Sequence, residues 1–301
     1  MAIAAFIPQI WSARFTSKLR DMLVWGSVMN ANYEGEITAA GDTVKIPSST
    51  TSITVSDYTE NTDINDAELA DGTTQDLVIN KKKYFHFYVD DITEAQTRPE
   101  VMDDAMREAA FQMANEQDND YRATVISGFD ASRNVNVDVA SGGSVGDDAH
   151  VTAVLKAFTS RARAMDEANI PQEGRWSIVS PLLKEMLNNW FAISGGSDSV
   201  YVPATSEQTL RNGFIGRLLG FDLRVTNKRD TSSTGSGQTR KNYDRYWFGQ
   251  GTEANTRAEQ LVSIEAYRPE KRFGDAVKGL RVYGSKQIHA ARLWTASVQN
   301  A

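Results

Sequence analysis

A long polar excursion, residues 36–91, constrains this chain more than any other feature of its sequence. It opens with a strand-like segment, Asp42-Thr-Val-Lys-Ile46. Between Pro47 and Asn80 there are seven acidic residues and no lysine or arginine, and the returning segment then carries three successive bases, Lys81, Lys82 and Lys83. A hairpin with an acidic body and a basic root suits a neighbouring copy, where the acids of one chain meet the bases of another. The pattern therefore favours an assembly subunit over a self-contained enzyme.

Alternation within the excursion predicts strands. In the returning segment Phe85, Phe87 and Val89 share one strand face, and Tyr84, His86 and Tyr88 share the other. Aromatic residues on both faces indicate that both faces are at least partly covered. Ile53 and Val55 alternate with polar residues, which predicts strand in the outgoing segment as well.

Composition narrows the functional classes. The chain has 301 residues, a net charge of −7 and no cysteine, which excludes disulfides, thiolate catalysis and cysteine-based zinc sites. Because its net charge is negative, the molecule as a whole should not bind nucleic-acid phosphates. No apolar run approaches the roughly 18 residues that span a bilayer, and the N-terminus does not read as a secretory signal. The three histidines have no metal-ligand spacing, so we expect no metal or cofactor, and we expect assembly in the cytoplasm.

The remaining elements alternate in a mixed α+β order. Residues 1–35 form an amphipathic arm, which either packs on its own core or docks on a neighbour. A capping-box pattern at Thr97-Arg-Pro-Glu100 starts a helix that runs to about Ser127 and has a polar face. The residue patterns also predict a strand at 135–139, a helix from about 148 to 168, a strand at 175–179 and a helix from 180. They further predict a helix or turn at 210–219, a strand at 221–225, a loop at 230–241, and late strands at 246–248, 261–267 and 279–288.

One motif has the form of a catalytic element. Gly142-Gly-Ser144-Val-Gly146 matches G-x-S-x-G between a strand pattern and a helix pattern, the context of a nucleophile elbow. A flexible loop closed by a helix cap explains the same residues, and matches in Gly/Ser loops are common. We therefore expect no catalytic residue, and keep a serine hydrolase as an alternative.

Several segments, in order along nearly the whole chain, resemble the major capsid proteins of tailed bacteriophages. They are Ile7-Pro-Gln-Ile-Trp-Ser-Ala-Arg14, Asp42-Thr-Val-Lys-Ile-Pro47, Ile53-Thr-Val-Ser-Asp-Tyr58, Ala168-Asn-Ile-Pro-Gln-Glu-Gly-Arg-Trp176 with Ile178-Val-Ser-Pro181, Arg211-Asn-Gly-Phe-Ile-Gly-Arg217 with Gly220-Phe221, and Glu265-Ala-Tyr-Arg-Pro-Glu-Lys-Arg-Phe-Gly-Asp-Ala-Val277 with Val282-Tyr-Gly284.

The resemblance implies the Hong Kong 97-type capsid fold. Its parts would be an N-terminal arm (1–35), an extended loop (36–91), a peripheral domain with a long spine helix (92–142), an axial domain (143–250) and return strands that complete the sheets (251–301). It implies hexamers and pentamers that close an icosahedral head around double-stranded DNA, with the acidic face of the spine helix letting packaged DNA slide. An encapsulin-like nanocompartment shell is the alternative with the same fold.

Partners follow from the same resemblance. Because the arm motif begins at Ile7, we expect no internal scaffold segment and a separate scaffolding protein, together with a portal protein and possible decoration proteins. A covalent crosslink from a loop lysine is not expected. The residues that we expect at subunit interfaces are Trp11, Arg14 and Phe15 in the arm, Asp57, Tyr58 and Glu60 in the loop, Lys81, Lys82 and Lys83 at its base, and Arg268, Glu270, Lys271 and Arg272 in a late turn.

Overall fold

The computed structural model describes residues 23–33, 43–48, 55–61, 63, 66, 73–90, 101–138, 148–194, 216–228, 230–234, 241–271 and 273–300. Some predictions lie outside these residues. They are the arm positions Trp11, Arg14 and Phe15, the helix cap at 97–100, the Ser144 loop, residues 235–240 of the late loop, and Arg272.

Three sheets and three α-helices form the described fold. The helices are α1 (Val101–Ser127), α2 (Asp148–Glu167) and α3 (Pro181–Ser194). The strands are β1 (Thr43–Ser48), β2 (Thr73–Val78), β3 (Lys81–Asp90), β4 (Asn134–Val137), β5 (Arg175–Val179), β6 (Arg217–Leu218), β7 (Phe221–Val225), β8 (Asp230–Thr234), β9 (Lys241–Gln250), β10 (Asn255–Tyr267), β11 (Gly274–Gln287) and β12 (Leu293–Asn300). A three-stranded sheet has the order β10-β11-β3, and a seven-stranded sheet has the order β4-β12-β9-β5-β7-β6 with β8 on β9. In addition, β1 pairs with β2.

Helix α1 lies along strand β11 with a matched repeat. Tyr283 donates a hydrogen bond to Asp120 at 2.6 Å, and the Ser285 and Thr124 hydroxyls are 2.8 Å apart. Between these two contacts the helix advances by four residues, about 6 Å, and the strand advances by two residues, about 6.6 Å. The two repeats therefore match over this step, which lets both hydrogen bonds form between the helix and the strand.

The small β1–β2 sheet covers part of the opposite face of the three-stranded sheet. Val44, Ile46, Leu77 and Ile79 pack there against Ala258 and Val282. The chain then crosses from β2 to β3 directly over Gly284, where an added Cβ would lie 2.5 Å from the Val78 carbonyl oxygen. Only glycine accommodates this crossing without moving the backbone.

A buried carboxylate connects α1 to β10 and β11. Glu259 on β10 accepts hydrogen bonds from Gln117, from Tyr121 at 3.2 Å and from Arg281 at 2.7 Å, and Arg257 lies 3.0 Å from its other oxygen. Burial alone would raise the pKa of the Glu259 carboxyl, but Arg281, Arg257 and the hydrogen bonds hold it below its ordinary value. The charged form is therefore the native one.

A second buried carboxylate joins three parts of the chain. Asp118 on α1 accepts hydrogen bonds from the backbone N–H groups of Trp25, at 2.8 Å, and Gly26, at 3.3 Å, at the start of a short 3-10 turn. Lys228, which follows β7, lies 3.6 Å from the other oxygen. Burial raises the pKa of Asp118 despite Lys228, and burial lowers the pKa of Lys228 despite Asp118. This pair ties the N-terminal segment and the seven-stranded sheet to the helix.

The seven-stranded sheet has a core on each side. Val154, Phe158, Leu183 and Leu187 of α2 and α3 pack against one face, around Phe221 and Phe248. Trp176 and Trp247 on the other face join the core beneath α1, where Trp247 contacts Trp25 and Phe129 edge to face. The three-stranded and seven-stranded sheets therefore share one continuous interior.

No helix in the described part of the chain has the length and apolarity needed to cross a membrane.

The structure confirms most predicted elements and corrects several. The long helix ends at Ser127, before Gly128, as expected. The returning segment forms two strands, because the chain changes sheets at Ile79 and Asn80. Asp230 to Thr234, predicted as loop, pairs with β9 although it carries no apolar residue, since ladder hydrogen bonds hold it. Residues 217–218, predicted as helix or turn, form strand β6.

Other corrections concern exposure and the C-terminus. The sequence pattern predicts Asp118 on the solvated or subunit-facing side of the long helix, but the side chain is buried because the N-terminal segment covers it. Val55 was predicted in a strand, but it lies in an exposed segment without strand assignment. No strand was predicted after residue 288, where β12 pairs with both β4 and β9.

We expect Glu259→Gln to destabilise the subunit by about 3–5 kcal/mol at pH 7, because two buried guanidinium groups lose their counter-charge. The folded-state pKa of Glu259 is lowered, so its contribution is complete above the unfolded value of about 4.3 and is lost as the pH falls below it. The stability gap between wild type and variant should therefore narrow in acid.

Glu265→Gln is the matched control. Glu265 also pairs with a base, Lys278 at 2.8 Å, but both side chains are more than half exposed. Its loss should be at most about 1 kcal/mol. Urea unfolding of both variants at two pH values makes the comparison, and equal losses would contradict a structural role for the Glu259 cluster.

Candidate assembly surface

The described part of the acidic loop, residues 55–61, 63 and 66, lies open to solvent. Asp57, Tyr58 and Glu60 are all exposed; Tyr58 is 72% exposed and Val55, two residues before Asp57, is 93% exposed. The three loop residues predicted from the sequence as contacts are therefore accessible to a partner.

The three lysines at the base of the loop lie on two faces of β3. Lys81 lies 3.8 Å from Asp120, and Lys83 lies 3.4 Å from Glu116, so both bases have acids of α1 in their own chain nearby. Lys82 is exposed on the opposite face of β3, and no ion pair among the described residues involves it. The contact of the three lysines with a neighbour's acids stays a prediction.

Strand β3 lies at the edge of its sheet. β11 pairs with it on one side, and no described strand pairs with it on the other. Its inner face packs Phe85 and Phe87 toward α1, whereas Tyr84 on the outer face is 79% exposed. The predicted division of the aromatic residues between two faces is therefore correct, but the outer face is only partly covered.

Farther along the outer face an aromatic pair is in place. The His86 and Tyr267 rings stack 5.9 Å apart, and the Tyr267 hydroxyl lies 2.9 Å from His86 Nε2. Lys278 lies 5.3 Å from the Tyr267 ring centre and pairs with Glu265, which raises the pKa of Lys278. His86 is therefore a packed surface residue, as the sequence indicated.

The late turn connects β10 to β11. Arg268, Glu270 and Lys271 are exposed there, as predicted, and Phe273 beside them is 81% exposed. The Tyr88 hydroxyl donates to the Phe273 carbonyl oxygen at 2.6 Å and fixes the end of the turn. Sequence reasoning overlooked Phe273, although an aromatic residue within a charged turn is itself a signal of a contact.

Among the described residues, no arrangement indicates a catalytic or metal-binding site beside these surfaces. No group of three or more histidines and carboxylates among them is arranged to hold a metal ion. His150 is buried at the start of α2, and His289 precedes a short 3-10 turn far along the chain from it. Glu259, Asp118 and Lys228, whose pKa values are shifted by burial and by neighbouring charges, join structural elements. Sequence reasoning missed them, although Arg257 and Glu259 on one strand face were a visible polar signal.

Solved structures with this arrangement include phage capsids. A structure from Mycobacterium phage Che8 is 23% identical with a TM-score of 0.61, covering 91% of this chain and 90% of that one. The capsid of Cyanophage P-SCSP1u is 12% identical with a TM-score of 0.65, covering 93% and 89%. A virus-like particle from Pyrococcus furiosus is 10% identical with a TM-score of 0.51, covering 97% and 99%.

No known protein-family profile matches the chain, and no curated protein sequence matches it. The likeness therefore lies in the fold, and it confirms the α+β capsid fold expected from the sequence.

We expect Lys83→Glu and Lys82→Glu to separate subunit stability from assembly. Lys83→Glu places a carboxylate beside Glu116, so it should lower subunit stability by about 0.2–1 kcal/mol. Lys82→Glu removes no described ion pair and should change subunit stability by less than about 0.5 kcal/mol. If Lys82 faces a partner, its reversal should reduce the yield of assembled particles, and high salt should partly restore it.

Denaturant unfolding of the isolated subunit and particle yield by sedimentation, at low and high salt, make the two measurements. A fall in subunit stability for Lys82→Glu equal to that of Lys83→Glu would show that Lys82 has a partner within its own chain.

Proposed function

We propose that this chain is the major capsid protein of a tailed bacteriophage, a structural protein that builds an icosahedral shell. One observation carries the proposal: phage capsid structures share its fold over about nine-tenths of both chains, with 93% of this chain and 89% of the cyanophage capsid chain matched. Hexamers and pentamers of the chain would close the head around double-stranded DNA, in a virion assembled in the host cytoplasm.

The domain organisation proposed from the sequence fits the connectivity. Residues 92–142 would be a peripheral domain with α1 as its spine, and residues 143–250 an axial domain. Strands β10 and β11 join β3 in one sheet, whereas β12 joins β4 and β9 in the other. A final segment, 251–301, that completes both sheets is consistent with this pattern.

The solvent face of α1 fits an inner wall. Asp104 and Glu108 are exposed there, and Arg107 pairs with Asp104 at 3.1 Å. An acidic face repels phosphate, so packaged DNA would slide along it rather than adhere. A scaffolding protein, a portal protein and possible decoration proteins complete the proposed partners.

A nanocompartment shell is the second candidate, favoured by the likeness to the Pyrococcus furiosus virus-like particle. The two functions differ in content, since one shell holds DNA and the other holds protein cargo. Particles purified after expression with neighbouring genes would contain nuclease-protected DNA in the first case and a co-purifying protein in the second.

The serine hydrolase alternative rests on Ser144, which lies outside the described residues. The capsid fold favours a structural role over catalysis. Labelling of the chain by a fluorophosphonate probe, abolished by Ser144→Ala, would support the hydrolase instead.

Negative-stain microscopy of the expressed chain, alone and with its gene neighbours, tests the proposal. Closed shells of uniform diameter are the expected result. A monodisperse monomer under every condition would contradict it.

Truncation of the N-terminus should separate folding from assembly, and the structure shows where the deletion has to end. Removal of residues 1–30 would delete Trp25, Val28 and Met29, which are buried, and the N–H donors to Asp118. Removal of residues 1–21 spares all of these and still removes Trp11, Arg14 and Phe15. We expect the shorter deletion to leave a folded subunit that fails to close shells.

Circular dichroism melting measures folding, and microscopy measures shells. Trp25→Ala serves as the control for the longer deletion and should cost about 3–5 kcal/mol by itself. Normal shells from the chain lacking residues 1–21 would show that the arm is dispensable for assembly.

A further inference from the structure

We propose that Arg161 on α2, together with Arg133 and the ring of Trp294, forms a site that binds a phosphate group. Arg133 directly precedes β4, and Trp294 lies near the start of β12. Trp294 packs into the core beneath α2 and α3, so this Arg161 site lies on the other side of the seven-stranded sheet from α1. The site goes beyond the proposed shell function, and its test needs only the isolated subunit.

Arg161 is a half-buried cation without a carboxylate partner among the described residues. Its Nη1 donates to the Arg133 carbonyl oxygen at 3.1 Å, and its Nε donates to the Ser160 hydroxyl at 3.4 Å. Burial and the nearby charge of Arg163 lower the pKa of Arg161. A guanidinium still remains charged at neutral pH. The described surroundings of Arg161 therefore hold a positive charge that they do not balance.

Two further arginines add positive charge, and their acids are engaged or exposed. Arg133 lies 3.6 Å from Asp130, which also accepts the Ser132 N–H at 2.9 Å as the cap of a 3-10 turn. Arg163 lies 3.3 Å from Glu167, but both side chains are largely exposed, where solvent and salt weaken an ion pair. The patch is therefore positive, although the chain as a whole has a net charge of −7.

The guanidinium groups of Arg133 and Arg161 are fixed before any anion arrives. Their Cζ atoms lie 5.1 Å and 5.6 Å from the centre of the Trp294 ring, within the range of a cation–π contact. Arg133 also donates to the Ala291 carbonyl oxygen. An arginine that is already held in position loses less side-chain entropy when it binds an anion.

Two neighbouring guanidinium groups suit phosphate better than carboxylate. One edge of a guanidinium satisfies both oxygens of a carboxylate, whereas phosphate carries more acceptor oxygens and more charge and can engage two guanidinium groups at once. Inorganic phosphate and the DNA backbone both present this group. The experiment therefore includes both sources.

Thermal unfolding of the isolated subunit in rising phosphate, with chloride keeping the ionic strength constant, measures binding. At several times its Kd, phosphate should raise the wild-type Tm by about 2–4 °C more than the Tm of Arg161→Gln. The comparison with the variant is needed because phosphate also stabilises folded proteins in general. Arg107→Gln is the matched control, since Arg107 is an exposed arginine paired with Asp104 on α1. It should keep the full wild-type rise.

Arg161→Lys is a second variant, for use if glutamine disturbs α2. Lysine keeps the charge but loses the planar fork, so phosphate should bind more weakly, by about threefold or more in Kd measured by calorimetry. Equal phosphate binding by wild type and both Arg161 variants would overturn the proposal. An equal Arg161-dependent rise in Tm with acetate would overturn the assignment to phosphate.

A fluorescein-labelled DNA duplex separates the two sources of phosphate. If the backbone occupies the site, the wild-type subunit should raise the anisotropy of the duplex at low salt, and free phosphate should compete. Arg161→Gln should then weaken duplex binding by about threefold or more. Phosphate binding without duplex binding assigns the site to the free ion. Absence of particles would contradict the proposed shell function, whereas absence of Arg161-dependent phosphate binding would contradict only this site.

Discussion

The buried Glu259 carboxylate is the interaction on which the rest of the fold depends. It lies where α1 crosses β10 and β11, and it is held by Arg281, Arg257, Gln117 and Tyr121. Burying these charges is costly, and the cost is offset only when each partner is in position. The helix can therefore dock on the sheet in one register, and that register carries over to the Asp120 and Thr124 contacts with β11.

A fixed α1 then positions the surfaces at either end of the fold. Asp118 on the same helix holds the root of the N-terminal segment and Lys228, so the arm leaves the core at a defined point. Glu116 and Asp120 of α1 form ion pairs with Lys83 and Lys81 of β3, respectively. The helix thereby leaves Lys82 and Tyr84 as the groups of this edge that face outward.

The contrast between interior and surface fits the proposed shell. The buried charges Glu259 and Asp118 are paired within the chain, whereas residues 55–61 of the acidic loop, the outer edge of β3 and the turn at Phe273 are exposed. Exposed contacts are individually weak. In a closed shell the same weak contact recurs at every subunit, so the geometry that presents it matters more than its strength.

Local patterns in the sequence determined the α+β class, the extent of α1, the two faces of β3, and the acidic loop with its basic root. These features depend on periodicity, helix caps and charge order, which the residues themselves carry. Only the tertiary structure decided which charges are buried and which sheet each strand joins. Asp118 reads as a surface acid until the N-terminal segment covers it, and Asp230 to Thr234 reads as a loop until β9 supplies its hydrogen bonds. In the same way, Lys81, Lys82 and Lys83 form one run in sequence, but strand alternation and the position of α1 divide them between two faces.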